Sequence, residues 1–182
     1  MNTFRKVEII EFEFIYNSWM INDFPENELK KLDHIKEIFK QGKYECIVME
    51  EDGQIKAYAC FLWLKPTVKI LDYLAVVSDT RGKGYGSQLL NWLKESKGKS
   101  EIIVESEDPN FTVDDKEKII RERRISFYEK NGLMKREFSL KLSEVEFNIL
   151  TFEDSQLDKK MLLNEMLAIY SEFSPILKVT PY

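Results

Sequence analysis

The sequence predicts an α/β (α+β) fold in which helices and strands alternate along the chain. Stripes of apolar residues with helical spacing and runs rich in β-branched and aromatic residues follow one another without a clear linker. A third observation is a glycine-rich segment, Arg81–Ser87, that joins one β-rich run to an amphipathic helix.

The N-terminal quarter of the chain predicts one strand and two helices. Arg5–Ile10 alternates weakly and is interpreted as the first strand, and Glu11–Met20 is apolar enough for the first helix. Pro25 suits the first turn of a second helix, and Gly42 supplies its stop. The apolar stripe of this second helix consists of Leu29, Leu32, Ile35, Ile38 and Phe39.

Three strands are predicted next. Tyr44–Glu50 and Ile55–Leu64 form an antiparallel pair, because Asp52-Gly53 between them is a strong hairpin-turn signal. Lys69–Val77 forms the strand that leads into the glycine-rich segment.

The second half of the chain alternates in the same way. A helix begins near Gly84 and ends at Gly98, a short strand covers Ile102–Glu105, and a helix runs roughly over Lys116–Lys130. Alternating runs at Phe138–Leu142 and Val145–Ile149 predict an antiparallel pair. The stripe of the last predicted helix is Leu162, Met166, Ile169, Tyr170 and Phe173.

Composition indicates one compact, enzyme-sized protein. The 182 residues carry a formal charge of −5, which argues against nucleic acid as a partner. No run approaches the length of a membrane span, and the N-terminus lacks a signal pattern. We therefore expect a cytoplasmic protein that has no membrane partner.

Cysteine and histidine are too few for most catalytic or metal centres. Cys46 and Cys60 lie in apolar runs and are expected to be buried and reduced. The single histidine, His34, is expected on the surface of a helix. A metal site built on histidines is therefore not expected.

The glycine-rich segment predicts a seat for a phosphate or pyrophosphate. Glycines at 82, 84 and 86 let the backbone turn and expose its amides, and the following helix adds the positive end of its dipole. Neither the nucleotide P-loop spacing nor the dinucleotide fingerprint fits, since Ser87 stands where the latter needs glycine. The pattern that fits is R-x-x-G-x-G, with Arg81, Gly84 and Gly86.

This loop resembles the pyrophosphate-binding loop of the GNAT (general N-acetyltransferase) superfamily. A second segment, Arg123–Leu133, resembles the R-x-x-x-F-Y-E-K-x-G-F motif found late in many members, with Leu133 replacing the usual Phe. The segment beginning at Asp23-Phe24-Pro25 is similar to one seen in a bacterial branch of the superfamily. The resemblance covers about residues 1–152, and residues 153–182 are expected to add a helix and tail packed on the same domain.

The resemblance implies a GNAT fold: a central mixed, mostly antiparallel sheet of about 6-7 strands, with a splayed pair of strands at the cofactor site and helices on both faces. It also implies acetyl-CoA as the acyl donor, with no metal. The strand before the loop would bind the pantetheine arm and the loop would bind the pyrophosphate. The residues carried over for cofactor binding are Leu74, Ala75, Val76, Val77, Arg81, Gly82, Lys83, Gly84, Tyr85, Gly86 and Ser87.

Two side chains are candidates for proton transfer. Tyr128 matches the family position that donates a proton to the departing sulfur. Glu105 is the candidate general base, because acceptors enter the family's site near the end of this strand. Glu107 and Asp72 are rivals, and a water chain without a single base is a further alternative.

The reaction implied is direct attack of a primary amine on the thioester, catalysed by an acyl-CoA-dependent N-acyltransferase. The alternatives are a non-catalytic CoA-binding or regulatory module, and a protein that uses the loop for another phosphate ligand. The acceptor, a small-molecule or peptide amine, is not specified by these residues. Oligomeric state also stays open, with a homodimer as one alternative.

Overall fold

A computed structural model of the protein describes residues 2–175 and 178–181. Its strands form an eight-stranded sheet in the order β1-β2-β3-β4-β5-β7-β6-β8. The pairs β1–β2, β2–β3, β5–β7, β6–β7 and β6–β8 are antiparallel. The strands are β1 (Asn2–Lys6), β2 (Tyr44–Glu51), β3 (Gln54–Leu62), β4 (Val68–Val76), β5 (Glu101–Glu107), β6 (Leu133–Leu142), β7 (Val145–Phe152) and β8 (Val179–Pro181).

Six α-helices accompany the sheet within the described residues. They are α1 (Ile9–Ile15), α2 (Ile21–Asp23), α3 (Leu32–Lys40), α4 (Tyr85–Ser96), α5 (Asp115–Lys130) and α6 (Lys159–Phe173). A π-helical segment, Tyr16–Met20, joins α1 to α2. The mixed fold and mostly antiparallel sheet confirm the predicted fold class.

Two compact units divide these elements. The first comprises Met1–Trp63 and Leu71–Ser96, and the second comprises Leu64–Ile70 and Lys97–Tyr182. Strand β4 contributes its first residues to the second unit and the remainder to the first unit.

The first unit has a core of aromatic and aliphatic side chains between α1, α3 and β2. Phe12 lies at the centre of an aromatic cluster, with its ring 5.5 Å from that of Phe39 and 5.8 Å from that of Tyr44. Ile35 and Ile38, from the predicted stripe of α3, are buried. The hairpin prediction is also confirmed, because Asp52 and Gly53 both adopt positive φ, as a tight β-turn of this kind requires.

In the second unit, helix α6 contributes a buried apolar face. All five residues of its predicted stripe, Leu162, Met166, Ile169, Tyr170 and Phe173, are buried. Asp158 caps the helix by accepting a hydrogen bond from the amide of Met161 at 2.8 Å. The periodicity of the sequence therefore identified the buried face of this helix correctly.

The start of α3 differs from the prediction. The helix begins at Leu32 and not at Pro25, because tertiary hydrogen bonds hold the preceding backbone in another conformation. The hydroxyl of Tyr73 accepts from the amide of Lys30 at 2.8 Å and donates to the carbonyl of Glu28 at 3.0 Å. The local sequence pattern around Pro25 does not predict hydrogen bonds to a residue of a distant strand.

The strands also differ from the prediction at several ends. Strand β1 covers Asn2–Lys6, whereas Arg5–Ile10 was predicted, and β5 continues to Glu107, which pairs with Phe147 of β7. Strand β8 has three residues, includes a proline and lies at the edge of the sheet. With β8 the sheet has one strand more than the upper number predicted.

Candidate active site

The loop between β4 and α4 has the backbone conformation that the glycine pattern predicted. Gly82 and Gly84 adopt φ of +80° and +81°, which side-chain-bearing residues rarely adopt. Apart from the glycine's own chain neighbours, no atom lies within 4 Å of the position that a Cβ would take at either glycine. The side of the backbone where a side chain would stand is therefore open at both positions.

Helix α4 begins directly after this loop. The amide of Gln88 donates to the carbonyl of Gly84, the residue just before the helix, at 3.0 Å. The preceding amides of Tyr85, Gly86 and Ser87 lie in the first turn, where an α-helix offers no internal acceptor. Amides in this position and the positive end of a helix dipole generally favour an anion.

Threonine and arginine fix the segment that leads into the loop. Thr80 is buried, and both its amide and its Oγ1 donate to the carbonyl of Val77, at 2.9 and 2.8 Å. Arg81 donates from Nε to the carbonyl of Val76 at 3.2 Å and from Nη2 to Oδ1 of Asp23 at 2.6 Å. The first cation of the motif is therefore paired with a carboxylate.

Lys83 differs from Arg81 in this respect. Its side chain is exposed, and the described part of the chain offers its ammonium no carboxylate within ion-pair distance. Lys83 therefore supplies a full positive charge to the loop, and the backbone amides add only partial positive charges. The neighbouring Tyr85 donates its hydroxyl hydrogen to Glu51, and this bond raises the pKa of the phenol.

The residues predicted to bind the pantetheine arm lie at the end of the strand before the loop. Leu74, Ala75 and Val76 are half-buried residues of β4, and Val77 is buried just beyond its end. The amide of Val77 already donates to the carbonyl of Lys56 at 2.9 Å. This amide is therefore already bonded within the protein.

The match to a known protein family agrees with this geometry. Residues 42–132, half of the chain, match the family model described as the acetyltransferase (GNAT) domain. The chain belongs to the GNAT acetyltransferase family. No curated protein matches the sequence.

Solved GNAT structures share the fold. A GNAT-family protein from Bacteroides thetaiotaomicron is 18% identical with a TM-score of 0.72, and the match covers 93% of this chain and 96% of the other. The ribosomal-protein-S18-alanine N-acetyltransferase of Escherichia coli is 18% identical with a TM-score of 0.59, covering 87% and 97%. A Bacillus subtilis acetyltransferase in complex with CoA is 15% identical with a TM-score of 0.57, covering 84% and 98%.

The GNAT loop and strand residues all belong to the first unit, whereas Tyr128 and Glu105 belong to the second. Tyr128 lies near the C-terminal end of α5, next to Phe127, whose ring centroid is 5.4 Å from its own. Burial raises the pKa of Tyr128 to about 12, and the nearby charge of Arg124 opposes the shift. The phenol therefore stays protonated throughout the physiological pH range.

The carboxylates considered as bases have different partners. Glu105 is half-buried on β5 and accepts a hydrogen bond from the hydroxyl of Tyr170 on α6. Glu107 is bound by two guanidinium groups, with Arg121 at 3.0 Å and Arg124 at 3.4 Å. Both carboxylate oxygens of Glu107 are already engaged by arginines, so an incoming amine would have to compete with these contacts, and Glu107 is the poorer candidate.

Asp72 is also engaged by the protein. Its Oδ1 lies 2.5 Å from Nζ of Lys30, and its Oδ2 accepts from the hydroxyl of Tyr44 at 2.9 Å. The side chain is only 7% exposed. These contacts make Asp72 part of the packing between β2, β4 and the segment that precedes α3.

The two cysteines and the single histidine are not candidates for a catalytic role. Cys46 and Cys60 face each other in the β2–β3 register, and both are buried and reduced, as expected. Burial raises the pKa of the Cys60 thiol, which disfavours the nucleophilic thiolate. His34 is exposed on α3, again as expected.

Two residues beside the candidate groups were not identified from the sequence. Asp23 is the partner of Arg81, and Tyr170 is the partner of Glu105. Asp23 was noted only as part of a family-like segment, and Tyr170 only as part of an apolar stripe. The helical spacing of that stripe predicted that Tyr170 is buried, but it could not predict that its hydroxyl bonds to Glu105.

Proposed function

We propose that this GNAT protein is an acetyl-CoA-dependent N-acetyltransferase that transfers an acetyl group to a primary amine. The observation that carries the proposal is the loop at 82–87. It combines two left-handed glycines, first-turn amides at the start of α4 and a lysine that has no ion pair within the described residues. This donor set suits a pyrophosphate such as that of CoA.

Backbone groups of the first unit would hold the donor. The amides of Gly82–Ser87 would bind the pyrophosphate, and Lys83 would add a charge-assisted contact. Leu74, Ala75 and Val76 would offer strand-like hydrogen bonds to the amides of the pantetheine arm. When bound, acetyl-CoA supplies an acetyl group already activated as a thioester.

The acyl transfer would be direct, without an enzyme-bound acyl group. Both cysteines are buried, and the raised pKa of Cys60 keeps that thiol protonated. A backbone amide of Leu74–Val76 would stabilise the negative charge that develops on the carbonyl oxygen. Alignment of donor and amine supplies much of the remaining acceleration.

Tyr128 would act as a hydrogen-bond donor to the departing sulfur. With a pKa of about 12, it is a weaker acid than a thiol, whose pKa is about 8.5. Complete proton transfer to the thiolate is therefore uphill, whereas hydrogen-bond donation from a neutral phenol is available at every working pH. Glu105 would accept the proton that the amine loses.

A calorimetric titration with acetyl-CoA tests the proposal. We expect micromolar binding by the wild-type protein and none by Gly84→Glu, because the new carboxylate places a negative charge and a strained backbone at the anion site. Gly98→Glu is the matched control, since Gly98 also has positive φ and open space around it but lies beyond α4. Absence of binding by folded wild-type protein would overturn the assignment.

A transfer assay separates the enzyme from a CoA-binding module. Purified protein is incubated with acetyl-CoA and a panel of primary amines that includes polyamines, aminoglycosides and lysine peptides, and release of free thiol is followed. Thiol release that depends on an amine supports catalysis. Tight binding without release for any amine would favour the non-catalytic module.

A further inference from the structure

Asp23 stands at the end of α2, and its carboxylate is nearly buried, with 6% of the side chain exposed. Its Oδ1 accepts from Nη2 of Arg81 at 2.6 Å, and its Oδ2 accepts from the hydroxyl of Tyr58 at 2.7 Å. Asp23 therefore links the N-terminal helical segment to the first residue of the glycine loop and to strand β3.

Arg81 connects this carboxylate to the strand before the loop. While Nη2 bonds to Asp23, Nε donates to the carbonyl of Val76, the last residue of β4. The bond from Arg81 to Val76 thus closes the backbone between these two residues into a short loop. Within this loop, Thr80 donates two hydrogen bonds to the carbonyl of Val77. The position where the phosphate-binding amides begin is fixed by these contacts.

We propose that Asp23 is a positioning residue for acetyl-CoA binding: it holds Arg81 as a clamp on the loop and keeps this guanidinium from serving as a phosphate ligand. The inference rests on the proposed function. It replaces the expectation that Arg81 contributes charge to the pyrophosphate.

The burial of Asp23 is the reason why Arg81 stays with it. A carboxylate that has lost most of its water depends on its ion pair, and removal of one partner leaves the other charge uncompensated. If Arg81 turned towards a phosphate, only Tyr58 would remain as a partner seen for Asp23. The exposed and unpaired Lys83 offers charge to the phosphate without this penalty.

The clamp therefore acts through geometry. A loop that already has its binding conformation loses less conformational freedom when the ligand arrives, and this raises affinity. The several nitrogens of the Arg81 guanidinium are needed to hold the loop in this conformation, because one nitrogen donates to the strand and another to Asp23. A lysine keeps the charge but cannot make both contacts.

Amide hydrogen exchange of the ligand-free protein tests the clamp directly. We expect faster exchange at Thr80 and the following loop amides in Asp23→Asn and in Arg81→Lys, with little change in the amides of β2. Glu11→Gln is the control, because Glu11 also pairs with an arginine of the same unit, Arg5, at 2.6 Å. Unchanged exchange at Thr80 in both variants would overturn the clamp, whether or not acetyl-CoA binds.

Calorimetry with acetyl-CoA then tests the consequence. We expect Asp23→Asn and Arg81→Lys each to bind about tenfold more weakly, and the double variant to bind no more weakly than either single variant. If Arg81 were instead a phosphate ligand, Asp23→Asn would release it and affinity would stay equal or rise, while Arg81→Lys would keep most of its affinity. Either result would refute the positioning role.

The two proposals fail in different ways. Wild-type protein that does not bind acetyl-CoA contradicts the proposed function, and the exchange experiment still decides whether Asp23 clamps the loop. Wild-type binding that is insensitive to Asp23→Asn leaves the proposed function intact and contradicts the inference.

Discussion

The hydroxyl of Tyr170 donates a hydrogen bond to the carboxylate of Glu105, although the two residues are 65 positions apart. Tyr170 belongs to α6, which begins after the last residue matched by the family model, and Glu105 belongs to β5 within that match. A residue outside the matched region therefore supports the side chain that we propose as the general base.

The first prediction concerns this pair. We expect Glu105→Gln to lower kcat about 100-fold, because the amide cannot accept the proton of the amine. Tyr170→Phe should lower kcat by a smaller factor, since the carboxylate of Glu105 loses the hydrogen bond that holds it in place. Steady-state rates over a range of pH, measured with the best amine of the panel, check both expectations.

A matched control is available on the same helix. Tyr170 and Ile169 are both buried, but only Tyr170 carries a hydroxyl, so Ile169→Val tests loosened packing of α6 alone. If Ile169→Val lowered kcat as far as Tyr170→Phe, the effect would come from packing. A wild-type rate in Glu105→Gln would exclude Glu105 as the base.

The second prediction concerns Tyr128. We expect Tyr128→Phe to lower kcat by about tenfold to 100-fold and to leave the calorimetric affinity for acetyl-CoA unchanged, because in the proposed mechanism the phenol donates only to the departing sulfur. With a pKa of about 12, Tyr128 should not cause a fall in wild-type activity below about pH 10. A full rate in the Phe variant would reduce Tyr128 to a packing residue.

The third prediction concerns Asp72, the rival base. Asp72→Asn should lower the free energy of unfolding by about 2 kcal/mol, because the ammonium of Lys30 loses its partner in a mostly buried place. We expect acetyl transfer to persist in the folded variant. Urea unfolding and the transfer assay together check this.

The control for Asp72 is Glu37→Gln. Glu37 pairs with Lys40 at 2.6 Å, but both side chains are more than half exposed, so no measurable loss of stability is expected. Loss of transfer in a stable Asp72→Asn protein would return Asp72 to the list of candidate bases.

The parts of this protein that the sequence predicted well are those set by local pattern. The hairpin at Asp52-Gly53, the stripe of α6 and the glycine loop before α4 each depend on residues close in the chain. The positive φ of Gly82 and Gly84 follows from residue type alone, because glycine tolerates that conformation.

The parts that the sequence did not predict depend on partners that are distant in the chain. The sequence indicated no partner for Arg81, because its contact with Asp23 spans 58 positions and involves a nearly buried carboxylate. The late start of α3 has the same kind of cause, since Tyr73 of β4 holds the backbone of Lys30. Neither hydrophobic periodicity nor residue type predicts such contacts between residues that are distant in the chain.

The last prediction concerns alkaline stability and again involves Asp23. Burial is the main cause that raises the pKa of five tyrosines of the described residues above the ordinary value of about 10, and the hydrogen bond to Asp23 raises that of Tyr58 further. These tyrosines are Tyr16, Tyr44, Tyr58, Tyr73 and Tyr128. Since each phenol holds its proton more tightly in the folded state, its contribution to stability is complete below pH 10 and is lost as pH rises towards the folded-state value.

We therefore expect the free energy of unfolding to fall steeply above pH 10, by about 1.4 kcal/mol per pH unit for each such tyrosine. Tyr58→Phe should reduce that slope by the contribution of one tyrosine, about 1.4 kcal/mol per pH unit, because phenylalanine does not ionise in the unfolded chain. Urea unfolding between pH 9 and pH 11 measures the slope in both proteins. An identical slope in the variant would mean that Tyr58 ionises as readily in the folded protein as in the unfolded chain, against the burial and the Asp23 contact described above.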